Sequence, residues 1–233
     1  MLRLKRNQSG LAMVEFAVSL PFFAALTIGG VEIANYTSVV MQLSQISLHT
    51  ADNAARLGTA TPNGSKSISE AQIKDVFEGA MREGARIALG GTHSYVDPAT
   101  DVPTRRGNAR IILSSFEEVV PFNATDPRYR IRWQRCGGGA TFYTSNYGTK
   151  ATTTSVTGIG PAGRQVSPPS GGSLMFVEVQ YHFRPMIVNG FTLLTDHSIS
   201  QIASTVVRDR RDLTGAPGGE GIYNLEGVEP ATC

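Results

Sequence analysis

The sequence predicts an α+β protein: a long N-terminal helix, membrane-spanning in its first half and amphipathic in its second, packed on a small, mainly antiparallel sheet. Three observations carry this. Residues 11–31 are an apolar run that holds a single ionisable residue, Glu15. From Glu32 to about Leu57, apolar residues recur at three- and four-residue steps, the spacing of one helix face. In residues 128–133 and 175–184 they alternate with the intervening residues instead, the two-residue period of a strand.

Taken in order, residues 1–10 form a basic leader with Arg3, Lys5 and Arg6 and no acid. Leu11 to Val31 is 21 residues, about 31 Å of helix, enough to cross a hydrocarbon core. Basic residues before the run and none just after it put the N-terminus on the cytoplasmic side. A carboxylate inside such a segment costs roughly 2.5–3.5 kcal/mol even on lenient insertion scales, so Glu15 is a functional candidate by default. The alternatives are an uncleaved signal anchor, in which Glu15 snorkels to the interface, and a cleaved secretory peptide. The latter lacks a small-x-small site where one should stand.

The second half of the helix, residues 32–58, uses Ile33, Tyr36, Val40, Leu43, Leu48, Ala51, Ala54 and Ala55 before Gly58 and Pro62 end it. Pro21 and Gly29-Gly30 are expected points of bending. Residues 59–67 read as a linker. Ser69 with Gln72 then forms a capping box, flanked by Ile68 and Ile73 as a hydrophobic staple, and Ile73, Val76, Phe77, Ala80 and Met81 share one face up to about Leu89.

In the globular head, residues 59–233, strands are expected at Arg110–Phe116, at Tyr129, Ile131 and Trp133, and at Met175–Phe183, where Pro185 stops the run. Residues 198–208 read as a strand or a short helix. The Gly/Ser/Thr/Pro-rich stretch 137–173 reads as a long surface loop, or as two loops around a weak hairpin, and 213–233 as a flexible tail with little reason to be ordered apart from Cys233.

The formal net charge of +2 gives no reason to expect nucleic acid. The two cysteines, Cys136 and Cys233, both follow the membrane segment. An even count outside the cytoplasm suggests one disulfide, with two free thiols as the alternative. No cysteine pair has zinc-ligand spacing and the four histidines are scattered, so neither metal nor cofactor is expected. Gly158-Ile-Gly160-Pro-Ala-Gly163 matches a dinucleotide fingerprint in letters only: no apolar strand precedes it, and Pro161, Pro168 and Pro169 deny it a helix. His182, and His197 beside Asp196, read as solvated residues, and Arg128, Arg130 and Arg132 as the wet face of a strand. No catalytic motif is present, and an enzyme is not expected.

Gly10 directly before the apolar run, with Glu15 five residues later, resembles the processing site of type IV pilin precursors. The pair Glu15-Phe16 and the Leu20-Pro-Phe-Phe23 inside the run are similar to the TadE-like minor pilins (pseudopilins) of the tight-adherence (Tad/Flp) system. So are Ala51-Asp-Asn-Ala-Ala-Arg-Leu-Gly58 and the strand ending at Arg184-Pro185. The resemblance implies a pilin-like fold and cleavage between Gly10 and Leu11 by a Tad prepilin peptidase. It further implies pairing of Glu15 with the new Leu11 amine of a neighbouring subunit, and a role in pilus biogenesis and surface adhesion. The implied partners are that peptidase, other major and minor pilins, and the inner-membrane assembly platform. The implied location is the bacterial inner membrane, single-pass, with a periplasmic head; incorporation into a surface pilus is left open. A membrane-anchored periplasmic binding or sensing domain with an uncleaved anchor is the alternative.

Overall fold

A computed structural model describes residues 9–119, 123–186, 195–216 and 220–233. The chain divides into two compact units, residues 1–39 with 183–197, and residues 40–182 with 198–233. Most of the leader lies outside the described residues.

Helix α1 runs from Ser9 to Arg56 and continues through Pro21, Gly29 and Gly30 without interruption. Its C-terminal part packs on the antiparallel sheet and buries Leu43, Ala51, Ala54 and Ala55 as the spacing predicts, together with Ile46 and Thr50, which it did not single out, while Ile33 and Leu48 are exposed. The helix ends where Gly58 takes φ 119°, a backbone that side chains rarely adopt. Arg211 secures that end: its Nη2 donates to the carbonyls of Ala54, Ala55 and Leu57 at 3.1, 3.1 and 3.0 Å, at the end where a helix runs out of its own donors. Burial lowers the Arg211 pKa to about 10.

The expected linker contains two short strands, β1 (Thr59–Ala60) and β2 (Lys66–Ser69). Helix α2 (Glu70–Glu83) starts with the predicted capping box: Gln72 N donates to Ser69 Oγ, and Ser69 N donates to Gln72 Oε1. The last turn tightens into a 3-10 segment, Gly84–Ile87, so α2 itself stops short of Leu89. Gln42 and His49 of α1 both bond to Glu83, His49 at 2.7 Å.

The hairpin β3 (Thr92–Val96) and β4 (Pro103–Gly107) is antiparallel and mostly exposed. The main sheet consists of β5 (Ala109–Glu118), β6 (Tyr129–Gly137), β7 (Ser173–Phe183) and β8 (His197–Val206), in the order β6-β5-β7-β8. β5 pairs antiparallel with both β6 and β7, with a bulge at Ser115/Phe116. Residues 198–206 are thus strand, not helix.

Two expectations change here. β5 and β7 are buried on both faces, Phe176, Glu178 and Gln180 as fully as Met175, Val177 and Val179. By the two-residue period of a strand, one face receives α2, where Arg135 meets Glu70, while the other meets the long loop through Gln134, Phe176 and Glu178. The stretch 138–172 is therefore a covering layer, with Ala140, Thr153 and Ile159 buried and Tyr147, Val156 and Val166 packed on Phe116, Ile131 and Phe176.

The tail is also held in place beyond Cys233. Strand β9 (Ile222–Tyr223) pairs parallel with β2, Tyr223 Oη donates to Asp212 at 2.6 Å, and Ala231 O accepts from Cys136 N at 2.7 Å.

Candidate functional site

Gly10, Leu11, Glu15 and Phe16 all lie in the first turns of α1 and are exposed. A Cβ placed on Gly10 would meet nothing within 4 Å among the described residues. Leu11, Met13, Val14, Phe16, Val18, Phe22, Phe23 and Leu26 are each more than half exposed. The most apolar 18-residue window of this helix has a mean hydropathy of 2.0, and none of it is buried. The helix is long and apolar enough to cross a membrane, and it stands near the N-terminus.

Its polar groups are already satisfied along the helix. Ser19 Oγ donates to Phe16 O, and Thr27 Oγ1 donates to Phe23 O at 2.8 Å. Glu15 is left as the one ionisable side chain between Gly10 and Val31. A continuous bare apolar stripe of this length marks a lipid or protein contact surface.

Just beyond it, Glu32 is buried and accepts a hydrogen bond from Met186 N at 3.0 Å. Tyr36, Phe183 and His197 form a ring cluster with centroids 5.2–5.6 Å apart. His197 thus packs against two rings while staying partly exposed, with Nδ1 2.7 Å from Thr195 O.

In the head, Cys136 and Cys233 are disulfide-bonded, with Cα atoms 5.0 Å apart and positions 97 apart in sequence. Arg110 Nη2 donates to Cys233 O at 3.3 Å. His182, read from sequence as solvated, stacks on His93 at 4.0 Å. Arg130 and Arg132 are half-buried and, with Arg211, oppose the rise that burial imposes on the pKa of Glu117. The glycine-rich 158–163 stretch sits in a small bridge, Ile159 with Val166. Among the described residues, no three His, Cys, Asp or Glu side chains gather as metal ligands would.

Two features were missed in the sequence. One is the buried carboxylate of Glu178, which accepts from Ser145 Oγ, Asn146 N, Asn146 Nδ2 and Gln180 Nε2 at 2.6–3.3 Å; burial raises its pKa, and these bonds oppose the rise. The other is a cleft of about 660 Å³ beside β8, with Tyr147, Ile159, Val166, Phe176 and Ile202 among its lining residues. Both are assembled from distant segments, which no local motif announces.

Compared with protein-family models, curated proteins and solved structures, the chain matches none of them.

Proposed function

We propose that this chain is a TadE-like minor pilin: a structural and assembly subunit cleaved after Gly10 by a prepilin peptidase and acting in pilus biogenesis and surface adhesion. The observation that carries the reading is the conjunction at the head of α1. The exposed apolar part of α1 follows directly on Gly10 and bears one carboxylate five residues after that glycine. Buried in lipid before assembly and in a bundle of like helices afterwards, the stripe has a use in both states. The carboxylate has a use only where a cation meets it, because an unpaired charge in either environment is expensive.

The α+β build, with the C-terminal half of α1 packed on an antiparallel sheet, supports the same reading. The new amine at Leu11 is the counter-charge for Glu15 of a neighbouring subunit, and Arg3, Lys5 and Arg6 hold the scissile bond at the cytoplasmic face. The head then lies on the periplasmic side, where a disulfide persists.

Sequencing the N-terminus of membrane-extracted protein tests this directly. The expected result is Leu11, with bulky substitutions at Gly10 leaving the precursor intact. Met1 in cells with an active prepilin peptidase would instead select the uncleaved anchor carrying a binding domain.

A further inference from the structure

The main sheet has two edges, and the chain treats them differently. Along β6, outward backbone groups are taken up. Tyr129 and Val156 exchange hydrogen bonds at 2.8 and 2.9 Å, Ile131 N donates to Thr153 O at 2.9 Å, and Cys136 N donates to Ala231 O. β8 is the opposite edge, and among the described strands only β7 pairs with it. Its ten residues, from His197 to Val206, include no Asp, Glu, Lys, Arg or Pro. Those are the residues with which proteins blunt an exposed edge against pairing.

The 660 Å³ cleft runs along this edge. Five consecutive residues of β8, Ser200–Ser204, line one side, and the segment around the Ile159–Val166 bridge lines the other. Its apolar lining continues the buried cluster of Phe116, Ile131 and Phe176, so a side chain entering it meets packed hydrocarbon. Among the described residues that line the cleft, Arg164 alone is charged. That side chain is exposed and makes no hydrogen bond or ion pair among the described residues.

We propose that β8 and this cleft form a docking groove for an extended segment of a partner polypeptide. The segment adds as a further strand outside β8, with apolar side chains at alternate positions entering the cleft and a carboxylate meeting Arg164. Strand addition draws affinity from main-chain hydrogen bonds and specificity from pockets that take every second side chain. Five successive lining residues on an edge that no described strand other than β7 pairs with suit that geometry better than they suit a compact small molecule. The charge argues for a different chain rather than a second copy paired through its own β8, because β8 has no carboxylate to offer Arg164. The groove lies wholly in the head, so it stands whether or not α1 is processed at Gly10.

The test uses the full chain in detergent micelles and a panel of fluorescein-labelled seven-residue peptides. These alternate Thr with Val, Ile, Leu or Phe and end in Glu; matched controls end in Lys or carry one central Pro. Backbone exchange is followed over residues 198–206. At least one Glu-ending peptide is expected to bind saturably and to slow exchange there, and its Pro control to fail. Arg164→Glu, at an exposed side chain without partners, leaves the fold intact; it should weaken the Glu-ending peptide about tenfold and favour the Lys-ending one, as a swapped charge pair requires. Binding indifferent to the Pro or to the charge swap overturns the proposal. So does a panel that never protects β8, or protection of β8 by concentration-dependent self-association without peptide.

Discussion

Glu70, the first residue of α2, and Arg135, on β6, form a forked ion pair. Arg135 Nε lies 3.0 and 3.1 Å from the two carboxylate oxygens, and Nη2 donates a further bond. The side chains are 4 % and 12 % exposed. The carboxylate also sits at the positive end of the α2 dipole, so one residue completes the helix start and fixes that helix to the sheet. Phe77 lies next to the same strand: a Cβ on Gly137 would come within 2.7 Å of its ring.

Replacing Glu70 with Gln therefore strands a nearly dry guanidinium. Breaking a buried pair from one side typically costs 3–5 kcal/mol. Glu220, 3.4 Å from Arg135, remains as a weaker partner, so the lower end, about 3 kcal/mol, is expected. For a head of this size that is a fall in Tm of roughly 6–12 °C. Glu78→Gln is the control, since its pair with Arg82 on the same helix is exposed on both sides and should leave Tm unchanged. Equal shifts in the two variants would refute the structural role of the Glu70 pair.

The second prediction concerns pH and Glu178. Burial raises its pKa in the folded protein. A raised folded value means that the native state holds this proton more tightly than the unfolded chain does. Its contribution to stability is fully present below the unfolded pKa and is lost as pH rises through the folded value. Glu178→Gln cannot titrate, and its amide faces donors, so the variant starts less stable than the parent at pH 4. Its deficit should shrink as pH rises above the ordinary glutamate range. Denaturant midpoints of both proteins between pH 4 and 8 check this; a constant difference across that range would show that Glu178 titrates normally.

How far the sequence carried depends on how local each feature is. The capping box at Ser69 and Gln72 is complete within four residues, and the structure forms it as read. β5 and β7 were legible as strands from their composition. Their double-sided burial was not, because the covering residues Tyr147, Val156, Ile159 and Val166 are isolated among Gly, Thr and Ser and follow no period. The β3–β4 hairpin escaped because its exposed Arg105 and Thr104 give no apolar alternation. Pairing of Ile222 with Ile68 joins residues about 150 apart and leaves no local trace. The same logic separates the two candidate sites. Gly10, Leu11, Glu15 and Phe16 lie within seven residues and were visible at once, whereas the β8 cleft draws on segments from Asn146 to Ser204 and exists only once they are folded together.

The disulfide gives a third prediction. It joins positions 97 apart in sequence, worth about 4–5 kcal/mol on the chain-entropy model, and the tail it anchors includes the Ala231 contact to β6. Both thiols should resist alkylation in the native protein until reductant is added. Reduction should lower Tm and speed exchange first in residues 220–233, ahead of the sheet. Immediate labelling of both cysteines without reductant would exclude the bond in the cell-derived protein.

The last prediction separates assembly from simple anchoring, and it rests on Glu15. If the carboxylate only snorkels to the interface, Glu15→Ala makes the segment more apolar and anchors the chain at least as well. If it pairs with the Leu11 amine of a neighbour, the same change buries that amine without a partner, typically at a cost of 3–5 kcal/mol. At about 1.4 kcal/mol per tenfold, docking weakens by at least two orders of magnitude. The alanine variant should therefore be inserted and largely cleaved, yet fail to support piliation and surface attachment. Glu15→Asp should be partly defective, because its shorter reach strains the same pair. Both must be scored at matched protein level, with the N-terminus sequenced in each, so that a processing defect is not mistaken for an assembly defect. Normal pili and attachment with cleaved Glu15→Ala protein would leave α1 as an anchor only, and the head would then have to carry the function by itself.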